Sequence, residues 1–110
     1  MEDININFFV HCNRPGWAVN GNPKYKDLKY RIYVDDDLIT ERSWIWGDDI
    51  ALHENIYVKF DTSEQHKLRI EPVLIISNQA QFEIHNPSSE GKRFVVLQRS
   101  EYNDLVFKIA

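Results

Sequence analysis

The chain has 110 residues, 43% of them hydrophobic, which is enough for one core and too short for two comfortable domains. Its 17 acidic and 13 basic residues give a formal charge of -4, and the basic residues are dispersed singly, so the sequence predicts no nucleic-acid partner. A lone cysteine, Cys12, excludes an internal disulfide framework and suits folding in a reducing compartment.

Met1-Glu2-Asp3 is acidic and leads straight into an alternating segment, without the basic start and apolar stretch of a secretory leader. No apolar run approaches the roughly 20 residues of a membrane-spanning helix, so no membrane partner is expected. Ile4, Ile6, Phe8 and Val10 alternate with Asn5, Asn7, Phe9 and His11, the period of a half-buried strand. Arg14 to Asp27 reads as one long irregular connection, a kind often put to functional use. Leu28, Tyr30, Ile32 and Val34 then face one way, and Lys29, Arg31, Tyr33 and Asp35 the other. Asp35-Asp36-Asp37 supplies the turn of a hairpin, whose returning strand runs from Leu38 to about Trp46 and stops at Gly47-Asp48-Asp49.

Asp48 to Glu54 is the best candidate for a helical turn or two, and nothing supports a longer amphipathic helix. Ile56, Val58 and Phe60 mark a fourth strand ended by the polar turn Asp61 to Gln65, and Leu68 with Ile70 marks the fifth. Pro72 cannot donate to a ladder, which places it at a strand end or bend. Val73 to Ile76 and Phe82 to Ile84 read as a hairpin about Asn78-Gln79, with Asn86 to Gly91 as a loop. Phe94 to Leu97 and Leu105 to Ile109 close the chain as a last hairpin. About eight short strands spaced by turn residues predict a single all-β domain over 1–110, an antiparallel sandwich of jelly-roll or immunoglobulin-like type. A barrel shares the same alternation.

Familiar catalytic arrangements are absent from the pattern. His11, His53, His66 and His85 show no metal-ligand spacing with one another or with Cys12. His11 and Cys12, adjacent on a strand, point to opposite faces, which argues against a Cys–His nucleophilic pair. There is no Gly-x-Ser-x-Gly elbow and no glycine-rich phosphate loop, and no spacing singles out an acid–base pair; the expectation is a non-enzyme. Asp35, Asp36, Asp37, Asp48 and Asp49 flank one strand, where loop oxygens of that kind suit calcium. Turns favour Asp on their own account, and the solvated turn is the preferred reading. Trp17, Tyr25, Trp44 and Trp46 are candidate stacking rings for a ligand. Trp44 and Trp46 share a strand face with Leu38, Thr40 and Arg42 and read rather as core, whereas Trp17 lies in the long loop.

The run Tyr30 to Trp46, followed by Glu54-Asn55-Ile56-Tyr57-Val58 and preceded by His11-Cys12-Asn13-Arg14-Pro15, resembles small uncharacterised proteins of marine tailed phages, notably cyanophages. The likeness reaches to about Pro72, implies a viral or marine origin, and assigns no residue a role. The order of hairpins is similar, in architecture alone, to β-sandwich carbohydrate-binding modules, some of which hold calcium through loop aspartates. The first expectation is therefore a non-enzymatic phage-type structural or interaction protein. It would be virion-associated or an assembly component, in the host cytoplasm or the virion, touching itself or other proteins. The alternative is a carbohydrate-binding module, calcium-dependent or not, using Trp17, Tyr25, Trp44 and Trp46.

Overall fold

The computed structural model describes residues 2–13, 28–44, 51–73, 81–101 and 103–110. Among these, eight strands form: β1 (Glu2–Asn13), β2 (Leu28–Val34), β3 (Asp37–Trp44), β4 (Ala51–Phe60), β5 (His66–Val73), β6 (Gln81–Ser89), β7 (Phe94–Glu101) and β8 (Asp104–Ile109). A three-stranded sheet has the order β4-β1-β6 and a five-stranded sheet the order β3-β2-β5-β8-β7, antiparallel throughout. Period-two alternation decides which side of each strand is buried. On β1 it puts Ile4, Ile6, Phe8, Val10 and Cys12 inside, where they meet Tyr30, Ile32 and Val34 of β2 and Leu68, Ile70, Leu105 and Phe107 of β5 and β8. One apolar layer between two sheets is the arrangement of a β-sandwich. Cys12 is buried and forms no disulfide, while its neighbour His11 lies on the other side of the strand.

The hairpin joining β2 to β3 turns on two residues, because Val34 pairs with Asp37. Asp35 and Asp36 both have left-handed φ, 53° and 68°, as a two-residue hairpin of this twist requires. Asp tolerates that region better than most residues, which accounts for the acidic turn locally. Pro72 is the penultimate residue of β5, beyond the Arg69–Asp104 pair where β8 stops pairing, so its missing N–H breaks no ladder bond on that side. The closing hairpin of β7 and β8 also forms as expected.

Four expectations are corrected. Ala51 to Glu54 are strand, not helical turn, because they pair with His11 to Phe8 along β1. Val73 and Phe82 to Ile84 do not form a hairpin: Val73 pairs with Lys29 in the large sheet, whereas β6 pairs with β1 in the small one. Asn86 to Ser89 continue β6 instead of forming a loop, with an extra residue accommodated between the Phe9–His85 and Asn7–Ser88 pairs. Asn86 takes a left-handed φ of 52° at that bulge, and Pro87 beside it lies on an edge strand where a ladder donor is dispensable. Finally, Leu38 does not share the face of Thr40 and Arg42. A bulge separates the Ile32–Thr40 and Tyr33–Leu38 pairs, leaving Leu38 54% exposed while Ile39 packs on the core.

The strand ends Asn13, Leu28, Trp44, Ala51, Val73 and Gln81 lie at one end of the sandwich: the pairings group them within each sheet, and the Tyr30–Phe82 ring contact joins the two sheets there. Trp17, Tyr25, Trp46, Asp48 and Asp49 fall in 14–27 and 45–50, outside the described residues. No helix among the described residues is long and apolar enough to cross a membrane.

Candidate functional site

The two sheets present very different outer faces. On the large sheet the outward positions are tiled with charge: Arg31 with Glu41 at 2.8 Å, Arg69 with Glu71 at 3.2 Å, Lys67 with Asp104 at 3.2 Å. The Arg69 guanidinium also lies 4.5 Å from the centre of the Tyr33 ring. Arg31, Lys67 and Arg69 each meet a carboxylate on this face. Arg31 holds the Glu41 carboxyl below its usual range through that hydrogen bond. Such a face is solvated and self-satisfied.

On the small sheet the outward positions of β1, β4 and β6 carry Asn5, Asn7, Phe9, His11, His53, Asn55, Tyr57, Glu83 and His85. Its one described lysine among these rows, Lys59, pairs opposite Asp3 at the far end. Three of the chain's four histidines are therefore on one face. Amide side chains run along its middle. The His53 Nε2–H donates to Asn7 Oδ1 at 3.1 Å, Asn7 Nδ2 donates to Asn5 Oδ1 at 2.6 Å, and Asn5 Nδ2 donates to Asn55 Oδ1. Tyr57 stands clear of this row, 69% exposed. Phe9 is partly exposed beside His53, ring centres 5.1 Å apart.

At the β1–β6 side of the face lies a shallow cleft of ≈ 400 Å³ lined by Phe9, His11, Ala51, Glu83, His85 and Asn86. Glu83 is directly opposite His11 across the ladder, and His85 follows two residues on, opposite Phe9. Strand residues two apart share a face, so His85 and Glu83 both turn toward His11. The Glu83 carboxylate oxygen Oε1 accepts from His85 Nε2 at 2.9 Å and lies 3.9 Å from His11 Nδ1. The two imidazoles stand edge to face, 6.0 Å between centres. Donor atoms of all three side chains lie within 4.8 Å of one another. The sequence shows no metal-ligand spacing among the histidines, and the fold brings two of them to one carboxylate. Residues distant in sequence meet through the β1–β6 pairing, for which local spacing carries no signal.

The acidic turn is used otherwise. Asp35 Oδ2 accepts from His66 Nδ1 at 2.5 Å, and its Oδ1 accepts from the Lys67 N–H at 2.9 Å. His66 is buried between the rings of Phe60 and Phe107, and its Nε2–H donates to the Asp61 carbonyl at 2.6 Å. Both ring nitrogens therefore face acceptors, which favours the doubly protonated imidazolium. Burial of the ring opposes that charge, but the hydrogen bonds to Asp61 and Asp35 outweigh it and raise the pKa. Asp36 points to solvent with Arg69 4.0 Å away. Among the described residues, the three whose ligand atoms converge are His11, Glu83 and His85 and not Asp35, Asp36 and Asp37. Trp44 closes β3 opposite Leu28.

A third assembly ties the sheets together from inside. Glu54, 4% exposed, occupies an inward position of β4 where alternation calls for an apolar residue. The Tyr30 hydroxyl donates to its Oε2, and Arg42 Nε of β3 lies 3.2 Å from both carboxylate oxygens. Burial, followed by the bond to Glu54, drives the Tyr30 pKa far up, so the phenol stays a proton donor. The three groups satisfy one another, and this is a structural clamp rather than an open site.

Compared with protein-family models, curated proteins and solved structures, the chain matches none of them.

Proposed function

We propose that the chain is a non-enzymatic interaction protein of phage type, a virion-associated or assembly component whose recognition surface is the outer face of the three-stranded sheet. The observation that carries this is the segregation of side chains between the two outer faces. Aromatic rings, imidazoles and amides gather on the small sheet, while the large one carries the ion pairs of Arg31, Lys67 and Arg69 beside exposed Leu38, Val96 and Leu97. Depletion of lysine and enrichment of aromatic residues is the composition of protein interfaces. Exposed Tyr57 and Phe9 are the anchors such a surface offers.

The test compares the wild type with Tyr57→Lys and Phe9→Lys by sedimentation velocity over a range of concentrations, and by antibody detection in purified phage particles. Self-association or particle incorporation that both variants lose supports the reading. A strictly monomeric wild type that is absent from particles overturns it.

A sugar-binding role is the second reading, and the side chains around Tyr57 are what favour it. The exposed ring pairs opposite Asn5, within a row of amides that also holds Asn7 and Asn55, offering stacking and hydrogen bonding together. A glycan array with and without calcium, repeated on Tyr57→Ala, decides it; no binding in either condition removes it.

A further inference from the structure

We infer that His11, Glu83 and His85 form a binding site for a divalent transition-metal ion of the zinc type, open to the cleft beside Phe9 and Asn86. The chemistry of the donor set comes first. Two imidazole nitrogens and one carboxylate oxygen are zinc's preferred ligands, and three protein ligands with a fourth position left to water is the open form of such sites. Calcium and magnesium instead ask for six or more oxygens, which the described residues of this cleft do not gather.

Distance is the second argument. Bonds of about 2.0–2.2 Å at tetrahedral angles place ligand atoms roughly 3.4 Å apart. The Glu83–His85 separation of 2.9 Å and the Glu83–His11 separation of 3.9 Å straddle that value, and no pair in the group exceeds 4.8 Å.

Rigidity is the third. All three residues stand on paired strands of one sheet, with His11 in register against Glu83 on the central strand β1. Sites on strands hold their geometry better than sites on loops. The bulge at Asn86 directly follows His85 and bends the strand where the cleft opens. Among the described residues, no arginine or lysine lines the cleft to repel a cation. The remaining histidine of this face, His53, is committed to Asn7 and supplies a control.

Isothermal titration of the full, untagged chain with zinc chloride in a non-chelating buffer tests the inference. The expected result is one ion per chain, with affinity reduced tenfold or more in His11→Ala, His85→Ala and Glu83→Gln, and unchanged in His53→Ala. Cobalt(II) provides a second readout, because a four-coordinate ion absorbs intensely in the visible; this band is expected in the wild type and lost in His85→Ala. Far-UV circular dichroism of metal-free samples establishes that the variants are folded. No zinc binding by the wild type overturns the inference, as does equal affinity in the His11, His85 and Glu83 variants, or an equal loss in His53→Ala. The site does not depend on the proposed partner surface, since zinc binding and particle incorporation are read separately.

Discussion

Two assemblies in this molecule are built from histidine and carboxylate, and they differ in what surrounds them. At the acidic turn, His66 is enclosed by Phe60 and Phe107, and each ring nitrogen has an acceptor, Asp35 on one side and the Asp61 carbonyl on the other. On the outer face of the small sheet, His11 and His85 share one carboxylate, Glu83, beside an open cleft. Closed and saturated, the first holds the fold together. Open and convergent, the second has coordination to offer. The same residue types take opposite roles according to burial and to how many donors and acceptors the protein itself satisfies.

The largest effects are expected where a closed assembly is broken. Glu54→Ala belongs to this class, because it leaves the buried Tyr30 hydroxyl without its acceptor and removes the Arg42 link between sheets. A loss of about 3 kcal/mol is expected from removing one member of such a buried set. Urea denaturation measures it, and a loss no greater than that of an exposed substitution would show that the clamp contributes little. His66→Ala is expected to cost a similar amount, about 3 kcal/mol, since it empties the space between two phenyl rings and removes the hydrogen bonds to Asp35 and the Asp61 carbonyl.

Asp35→Asn keeps a residue that tolerates left-handed φ and removes the charge facing His66, so about 1 kcal/mol is expected. Its more specific effect is on pH dependence. The folded-state pKa of His66 is raised above its ordinary value of 6.5, so its contribution to stability is complete below that value and is lost as pH rises through the folded one. Asp61 acts with the opposite sign. The Ser63 hydroxyl, then the Ser63 N–H, holds its carboxyl below the ordinary 3.8, so that contribution is present above 3.8 and lost as pH falls through the lowered value. Melting temperature followed from acid to alkaline pH is expected to decline on the alkaline side in the wild type and less in Asp35→Asn. An identical decline in both would detach His66 from Asp35.

The smallest effects belong to the open assembly. His11→Ala and His85→Ala, in the absence of metal, are each expected to change stability by no more than about 0.5 kcal/mol, the range of surface substitutions. A loss like that of His66→Ala would erase the distinction between the two assemblies.

Much of this was legible in the residues alone. The alternation from Ile4 to Val10 and from Leu28 to Val34 names the buried side of β1 and β2 without any coordinates, because a period of two admits one assignment of faces. The Asp35–Asp36 turn is equally local, since φ at a turn depends on the residue that occupies it. Alternation misleads only where a bulge adds a residue, as at Ile39 and at Asn86, and there the faces of Leu38 and the course of β6 went the other way. Nor does it warn of Glu54, a carboxylate at a core position that is stable only because Tyr30 and Arg42 arrive from the other sheet.

The sequence by itself determined the class of fold, the inward faces of the strands and the opposite orientations of His11 and Cys12, all consequences of local geometry. Tertiary structure decided which strands became neighbours. The pairing of β1 with β6 turned a histidine near the start of the chain and a Glu-x-His segment far along it into one cluster. The pairing of β5 beside the β2–β3 turn committed Asp35 to His66 and Lys67. Those outcomes rest on long-range pairing, whose driving force is burial of the whole core, and no local spacing encodes it.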